Sequence, residues 1–252
     1  MINKQELRTF ATQLGLNLGQ TEKNYLHIKT LHAISRLLPE KLIFKGGTSL
    51  MICHGLPRFS EDLDFTATTC IDVQAVIEQL KAFLTQQDIT MQVTHQETTP
   101  VSESFLIRYQ GPLYDGTQQT TSKVEIDIST REAIQQPATT TRILHPYSDT
   151  PTFYVQTMTA QEILAEKIRA ILTRNKARDV YDAEYLIAKN TPLHRSLINK
   201  KLSYYKKTYT KQDLALALEQ KKGLWNAELK NLIALVPDFD ETVHTILSAA
   251  PK

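Results

Sequence analysis

The sequence predicts an α+β fold in which a mixed sheet with flanking helices is followed by an α-helical bundle. Before Pro151, short apolar runs of β type alternate with amphipathic segments of helical period. After Pro151 the periodicity is almost entirely helical. We therefore predict two domains, residues 1–155 and residues 156–252.

The composition is that of an ordinary globular protein. The chain has 252 residues, of which 41% are hydrophobic and 22% are charged, enough to bury a sizeable core. No apolar run approaches the roughly 18 residues of a membrane span, and the N-terminus is polar. We expect no signal peptide, no membrane partner and a cytoplasmic location. Cys53 and Cys70 lack metal-ligand spacing, which suits a reducing compartment.

The net charge of +2 is unevenly distributed. Residues 1–150 contain 13 Lys and Arg against 16 Asp and Glu, whereas residues 151–252 contain 16 against 11. The basic second half could face an anionic partner.

In the first half, apolar spacing predicts a helix over residues 22–38 and a short strand over residues 42–44. Gly46 and Gly47 then form a turn, and Thr48 or Ser49 caps a short helix. Residues 59–65 alternate as a strand does, and Asp72 caps a helix that ends near Leu84. Three further strands are predicted at residues 91–94, 105–109 and 124–129.

In the second half, residues 153–155 form a last strand and Thr159 begins a helix. Another helix covers residues 178–188. Two or three more follow, with Pro192 and Pro237 as breakers.

The segment RFSEDLDF carries the first candidate chemistry. In a strand, alternate residues face the same side, so Ser60, Asp62 and Asp64 would share a face. Two carboxylates converging to about 4 Å repel by roughly 4 kcal/mol at an effective dielectric near 20. A hard divalent cation, Mg²⁺ or Mn²⁺, would relieve that repulsion.

The segment KGGTSL supplies the complementary half of a site. Backbone N–H groups of Gly46 and Gly47, with the positive end of the following helix, could hold a phosphate chain. Taken alone, a glycine pair usually indicates a simple turn, and acids at alternate positions usually indicate a solvent-exposed strand. Together, in this order, they favour a phosphate cradle beside a metal site.

A third acid would complete a two-metal arrangement. In KVEIDIST, Val124, Ile126 and Ile128 would face inward, with Glu125 and Asp127 on the other face. Asp127 fits best because apolar residues flank it, and Glu125 stays an alternative. A half-exposed strand with charged outer positions is the simpler interpretation.

These segments resemble the nucleotidyltransferase superfamily. More closely, KGGTSL followed by RFSEDLDF resembles the AbiEii/AbiGii toxin family of type IV toxin–antitoxin and phage-abortive systems. The segment EILAEKIRAILTRNKARDVYDAEYL, residues 162–186, is similar to that family's downstream motifs. The resemblance extends over residues 22–190.

The resemblance implies a nucleotidyltransferase-fold domain, a helical bundle, and a nucleoside triphosphate used with Mg²⁺. Some members add nucleotides to tRNA acceptor ends, so a tRNA acceptor and a cognate antitoxin are candidate partners. Metal would be bound by Asp62, Asp64 and Asp127. The residues assigned to nucleotide binding are Lys45, Gly46, Gly47, Thr48, Ser49, Arg58, Ser60, Lys167 and Arg178. Ser60 also falls where some members can be phosphorylated.

The downstream motifs imply catalytic roles for Lys167 and for Asp179 or Asp182, with Asp182 preferred. Lys167 lies on the apolar face of its helix and could equally extend to solvent. Asp179 fits a helix cap or an interhelical ion pair as well as it fits catalysis.

Residues 195–211, RSLINKKLSYYKKTYTK, contain six basic residues and no acid, with Tyr204, Tyr205 and Tyr209 between them. Such a strip can neutralise a nucleic-acid backbone while its rings stack on bases, although a solvated helix face is the commoner explanation. The predicted RNA contacts are Lys200, Lys201, Tyr204, Lys206 and Lys207.

The sequence thus predicts a Mg²⁺-dependent nucleotidyltransferase toxin acting on RNA. Two alternatives stay open. One is a regulatory module that binds a nucleotide without chemistry, and the other is a nucleotidyltransferase acting on a small molecule.

Overall fold

The structure, a computed structural model, describes residues 1–251 and divides into two compact units. The first unit comprises Met1–Cys53, Glu61–Ala133 and Ala138–Thr157. The second comprises His54–Ser60, Ile134–Pro137 and the residues from Met158 onward. The main division lies between Thr157 and Met158. The two short excursions have no counterpart in the contiguous domains predicted above.

The first unit contains a seven-stranded mixed sheet with helices. Its helices are α1 (Lys4–Leu14), α2 (Leu18–Leu37), α3 (Gly46–His54) and α4 (Val73–Thr85), the last residue of α3 being grouped with the second unit. Its strands are β1 (Leu42–Lys45), β2 (Leu63–Ala67), β3 (Thr90–Thr99), β4 (Ser102–Gln110), β5 (Ser122–Ser129), β6 (Thr139–Ile143) and β7 (Phe153–Thr157). The predicted α+β class is confirmed.

The strand order is β3-β4-β5-β2-β1-β7-β6. Strand β2 is central, antiparallel to β1 and parallel to β5. The other parallel pair is β1 with β7, and the remaining neighbours are antiparallel. This order places the two strands that carry the candidate acids, β2 and β5, side by side.

One face of the sheet is apolar and builds the core. Phe44 on β1 and Phe65 on β2 are in register, with ring centroids 5.4 Å apart. Ile126 and Ile128 on β5 continue this buried face, and helices α2 and α4 belong to the same core cluster. The alternation that produces this face leaves the intervening positions on the opposite side of the sheet.

The capping signal before α4 was correct. The side chain of Asp72 accepts a hydrogen bond of 3.1 Å from the Ala75 amide and caps α4, as predicted. Helix α2 starts at Leu18, four residues before the predicted start. Helix α1 and strand β6 had not been predicted. The signals for α1 were nevertheless present, since Leu7, Ala11 and Leu14 have helical spacing and Asn3 caps the helix. In β6 most residues are polar and exposed, which leaves no periodic signal.

The second unit is helical. Its helices are α5 (Ala160–Thr173), α6 (Arg178–Ala188), α7 (Arg195–Ser203), α8 (Lys211–Glu219), α9 (Trp225–Leu229) and α10 (Phe239–Ala249). Thr159 caps α5 through the Glu162 amide, and α6 has its predicted bounds. Between α6 and residue 251 there are four α-helices, where two or three were predicted. Helix α5 is central and packs against α6, α7 and α8.

Within residues 1–251, every helix falls short of the combined length and apolar character that a membrane crossing requires.

Candidate active site

The glycine pair lies at the junction of β1 and α3. Helix α3 begins at Gly46, so Gly46 and Gly47 form its first turn and not a turn before it. Gly46 has φ +74°, and a Cβ added there would lie 2.0 Å from Oδ2 of Asp64. Only glycine fits so close to that carboxylate. Because the first four N–H groups of a helix lack intrahelical partners, this turn keeps the expected capacity to bind an anion.

Thr48 and Ser49 do not cap α3, because the helix has already begun two residues earlier. Both side chains are fully buried. The Thr48 hydroxyl donates a hydrogen bond to the backbone carbonyl of Asp62. Thr48 thereby links α3 to the residues that precede β2.

The acids lie in a row of polar residues that crosses five adjacent strands. Lys45 on β1 is in register with Asp64 on β2, and Asp64 is in register with Asp127 on β5. Asp127 is in register with Ser104 on β4, which faces Glu97 on β3. Residues in register share a face of the sheet. We call Lys45, Asp64, Asp127, Ser104 and Glu97 the polar row.

Electrostatics within the polar row favour a bound cation. Burial raises the pKa of Asp127 to about 6, partly offset by a hydrogen bond with Ser104. The negative charges of Asp64, Glu125 and Glu97 contribute to this increase after burial. Neighbouring carboxylates raise the pKa of a carboxyl group when nearby positive charge does not fully compensate their negative charge. A cation would restore the ordinary ionisation.

The register distinguishes the two candidates for the third acid. Asp127, and not Glu125, is the register partner of Asp64. Glu125 is exposed and accepts a hydrogen bond of 3.1 Å from the Ser104 hydroxyl. The neighbours Val124, Ile126 and Ile128 are buried, as the alternation predicted.

The donor chemistry of the polar row fits a hard divalent cation, since Asp64 and Asp127 offer oxygen ligands from adjacent strands. Within residues 1–251, however, no group of three or more His, Cys, Asp or Glu side chains is arranged as a complete metal site. Asp64 and Asp127 would therefore provide only part of a coordination sphere, and substrate oxygens or water would have to provide the rest.

Asp62 is not on the strand as predicted. Strand β2 begins at Leu63, so residues 59–62 are not extended in the sheet, and the argument that Asp62 shares a strand face with Asp64 is wrong. The Asp62 side chain is half-buried, and its backbone is held by Thr48. The preceding residue, Glu61, forms an ion pair with Lys23 at 2.8 Å.

His27 on α2 forms a hydrogen bond with the backbone just before β2, at Glu61. Its Nε2 lies 2.8 Å from the Glu61 carbonyl oxygen, which can only accept, so Nε2 carries the proton. The Nδ1 atom is buried without a hydrogen-bond partner. Burial therefore lowers the pKa of His27 to about 4, although the Glu61 carbonyl acts in the opposite direction.

This buried imidazole predicts a pH-dependent stability. Neutral His27 contributes stability above pH 6.5 that is lost as the pH falls towards 4, because protonation is easier in the unfolded chain. His27→Gln keeps an N–H donor but does not titrate. As the pH falls from 6.5 to 4, the wild type should lose roughly 3 kcal/mol of its advantage in unfolding free energy over this variant. Urea unfolding at several pH values measures it, and a deficit that does not change with pH would contradict the assignment.

In the second unit, the predicted residues meet in a buried ion network. Lys167 on α5 lies 2.9 Å from Asp179 and 2.7 Å from Asp182, both on α6. Arg58 donates from Nε and Nη2 to the two carboxylate oxygens of Asp182 at 2.6 and 2.7 Å. Arg174 donates to both oxygens of Asp179. The structure brings together Arg58, Lys167, Asp179 and Asp182.

These partners decide the charge states. Burial alone would raise the pKa values of Asp179 and Asp182, but the Lys167 charge lowers both, with further contributions from the neighbouring arginines. Burial would lower the pKa of Lys167, yet the two aspartates raise it. All three groups are ionised at neutral pH.

Two other predicted nucleotide-binding residues, Ser60 and Arg178, are not among the residues that form this network. Ser60 is half-buried and ends the 54–60 excursion. Arg178 is the first residue of α6, where its backbone N–H donates to Glu228.

The predicted basic strip is only partly a surface feature. Lys200, Tyr204, Lys206 and Lys207 are exposed. Lys201 is fully buried, 2.7 Å from Glu162 and 3.1 Å from Glu166, so its prediction as an RNA contact is wrong. Tyr209 is also buried and donates to the Pro251 carbonyl. The ring of Tyr205 lies against the Arg169 guanidinium, at 5.2 Å.

The family follows from a comparison of the whole chain with known protein families. Residues 32–245 match the model described as nucleotidyl transferase AbiEii toxin, type IV toxin–antitoxin system. The chain belongs to this AbiEii family. It is a nucleotidyltransferase, and the resemblance predicted from KGGTSL and RFSEDLDF is confirmed.

Solved structures of similar fold agree. The MenT4 nucleotidyltransferase toxin from Mycobacterium tuberculosis H37Rv has a TM-score of 0.70 and 16% identity, over 99% of this chain and 88% of that one. JHP933 from Helicobacter pylori has a TM-score of 0.59 and 19% identity, over 91% and 89%. At such identities the likeness shows the fold. No curated protein matches the sequence.

The sequence did not point to three further polar residues, two of them in the polar row and one in the second unit. Ser104 and Glu97 complete the polar row only through strand register, and Glu162 is reached only through tertiary packing. No local pattern marks them, since a polar residue on an exposed strand position and an acid in a helix are both commonplace.

Proposed function

We propose that this AbiEii nucleotidyltransferase transfers a nucleotide from a nucleoside triphosphate to a hydroxyl of RNA, with tRNA as the acceptor class, and that it requires Mg²⁺ or Mn²⁺. The observation that carries the proposal is the register pair Asp64 and Asp127 directly beside the first turn of α3. A phosphate cradle next to paired carboxylates suits a metal-bound triphosphate.

The roles follow from that geometry. The N–H groups of the α3 first turn, at Gly46 and Gly47, would bind triphosphate oxygens. Asp64 and Asp127, with Asp62 at the entrance to β2, would hold the divalent ion. When bound, that ion would neutralise phosphate charge and orient the triphosphate.

The reaction is an in-line displacement. The acceptor oxygen forms a bond to the α-phosphorus, the bond from that phosphorus to the bridging oxygen breaks, pyrophosphate leaves and the hydroxyl proton is released. Catalysis would consist mainly of positioning and charge neutralisation.

The decisive experiment incubates the purified protein with Mg²⁺, total RNA and each of four labelled nucleoside triphosphates. Label transferred to RNA, with release of pyrophosphate, would support the proposal and identify the nucleotide. Absence of transfer with every triphosphate, in Mg²⁺ and in Mn²⁺, would refute it. As a member of a type IV toxin family, the protein would be opposed in the cell by a cognate antitoxin.

The exposed part of the basic strip is proposed to contact the RNA backbone. For Lys200→Glu/Lys206→Glu, the KM for RNA should rise about tenfold or more. The slope of log affinity against log salt concentration should become shallower by about one for each phosphate that the variant no longer neutralises. Filter binding at several salt concentrations and steady-state kinetics measure both effects.

Lys189→Glu/Lys230→Glu makes the same charge change at exposed positions outside the strip and is the matched control. If both double variants affect RNA equally, only the overall charge matters. If neither affects transfer, a small-molecule acceptor becomes the better explanation.

A further inference from the structure

A cavity of about 540 Å³ lies within the helical unit, between the end of α5, the end of α7 and one side of α8. Its volume is within the range of about 300–1,000 Å³ that is usual for small-molecule sites. The apolar part of its lining consists of Leu172, Leu202, Leu216 and Ala217. Leu202 is fully buried, whereas Leu216 is 60% exposed. The cavity therefore has an apolar wall that extends from the interior of the unit to its surface.

The cavity also has a polar rim. Four exposed polar side chains line it, namely Lys207, Thr208, Asp213 and Gln220. The Lys207 ammonium donates a hydrogen bond of 3.2 Å to the Leu172 carbonyl, and an ammonium has further N–H groups to donate. Asp213 offers carboxylate oxygens, and the Gln220 amide offers both a donor and an acceptor. An apolar wall with donors and acceptors at its edge suits a flat ring with polar edges, such as a nucleobase.

The turn after α7 brings positive charge to this rim. The Lys206 amide donates to the Ser203 carbonyl at 3.0 Å, and the Lys207 amide donates to the Leu202 carbonyl at 3.3 Å. These two bonds form the pattern of a Schellman cap. Lys206 has φ +54°, in the left-handed position that glycine usually fills. A lysine therefore occupies this position at a conformational cost, next to the lysine that lines the cavity.

The charge of the surrounding segment favours a nucleic acid as the occupant. Residues 195–211 contain no acid, and their exposed cations are Arg195, Lys200, Lys206, Lys207 and Lys211. Such a segment attracts a phosphodiester backbone. Unpaired RNA exposes its bases, which proteins bind in pockets while cations hold the phosphates. In a duplex the bases are stacked and paired, so they cannot enter such a cavity.

We propose that this cavity is a base pocket that accepts one unpaired nucleobase of the RNA acceptor, with Lys207 at the adjacent phosphate. The inference rests on the proposed function, which makes RNA the substrate, and adds that the bound RNA has an unpaired base. The apolar side chains pack on the ring, and Asp213 and Gln220 bind its edge. A carboxylate only accepts hydrogen bonds. Adenine, cytosine and guanine, which carry an exocyclic amino group, should therefore bind more tightly than uracil.

The principal test is Ala217→Phe in the full chain, because the added ring fills the cavity without changing any charge. The probe is a short single-stranded RNA that carries a fluorescent adenine analogue. Affinity for this RNA should fall about tenfold. The slope of log affinity against log salt concentration should not change, because no phosphate contact is lost. Affinity for a duplex of the same sequence should stay at the wild-type value. The fluorescence change that accompanies binding to wild type should be lost.

Ala215→Phe is the matched control. Ala215 is half-buried on the same helix but is not part of the cavity lining, so this variant should keep wild-type affinity for both RNAs. Leu216→Ala covers the case in which Ala217→Phe fails to fold. Because Leu216 is largely exposed, its truncation disturbs little of the core, and it should weaken single-strand binding severalfold. Circular dichroism establishes that each variant is folded.

The outcomes separate the base pocket from the proposed function. If the wild type binds single-stranded RNA through the cavity but transfers no nucleotide, the proposed function fails and the base pocket stands. If the wild type transfers nucleotide and the folded Ala217→Phe and Leu216→Ala variants bind single strands as tightly as wild type does, the base pocket alone is overturned. An equal loss in Ala215→Phe, or an equal loss for duplex RNA, would overturn it as well. Wild-type protein that binds no RNA would also overturn it, and would favour a protein partner at this surface.

Discussion

Replacing Asp64 by Asn is expected to reduce nucleotidyl transfer by about 10²-fold or more, the loss typical of removing one preorganised electrostatic group. Asp64 lies between Lys45 and Asp127 in the polar row. An amide has nearly the shape of the carboxylate but lacks its charge, so it would bind a divalent cation poorly. Single-turnover transfer of labelled nucleotide to RNA measures the effect.

The Asp64→Asn protein should remain folded, because the substitution removes a charge that raises the pKa of Asp127. Its unfolding free energy should match or exceed that of wild type. Glu78→Gln, on the exposed side of α4, is the matched control for loss of a negative charge. Full transfer activity in Asp64→Asn would refute the assignment of the acid pair.

The same assay separates the two candidates for the third acid. Asp127→Asn should be as damaging as Asp64→Asn, because these residues are register partners. Glu125→Gln should cost much less. The reverse order would identify Glu125 as the functional acid.

Replacing Gly46 by Ala is expected to be nearly as damaging, for a steric reason. The added Cβ would lie 2.0 Å from Oδ2, 2.7 Å from Cγ and 2.9 Å from Cβ of Asp64. The whole Asp64 side chain or the start of α3 must then move, and either movement separates the phosphate cradle from the acid pair. Transfer should fall by about 10²-fold. The positive φ adds a destabilisation of about 1–2 kcal/mol.

Gly15→Ala isolates the backbone contribution. Gly15 has φ +65°, and an added Cβ there meets no atom within 4 Å. It should lose stability similar to the backbone part of Gly46→Ala while keeping full transfer activity. Should Gly46→Ala retain activity while Gly15→Ala behaves as expected, the close approach of α3 to Asp64 would have no catalytic meaning.

Much of the fold could be predicted from local sequence. Capping residues such as Asp72 and Thr159 marked helix starts, and the alternation of residues 124–129 identified both the strand and its buried face. Helix α6 had its predicted bounds. These predictions succeeded because capping and periodicity are properties of neighbouring residues. The prediction of a strand over residues 59–62 was wrong. Residues 54–60 are grouped with the helical unit, and β2 begins only at Leu63.

The sequence predicted which residues belong to the candidate site better than it predicted how they are arranged. The sequence identified Gly46, Asp64 and Asp127, but not the register that aligns the acids or the close approach at Gly46 that admits no side chain. Lys201 shows the limit most directly. In the sequence it belongs to a basic strip, yet it turns inward to Glu162 and Glu166.

The sequence by itself determined the AbiEii family and the α+β class and named the candidate acids, because motif spacing and periodicity are properties of neighbouring residues. Only the tertiary structure decided which acids are register partners and which charged side chains are buried in ion pairs, Arg58 with Asp182 and Lys201 with Glu162. The reason is physical. Strand register and buried ion pairs join residues distant in sequence, and their free energies depend on desolvation and geometry that no local pattern records.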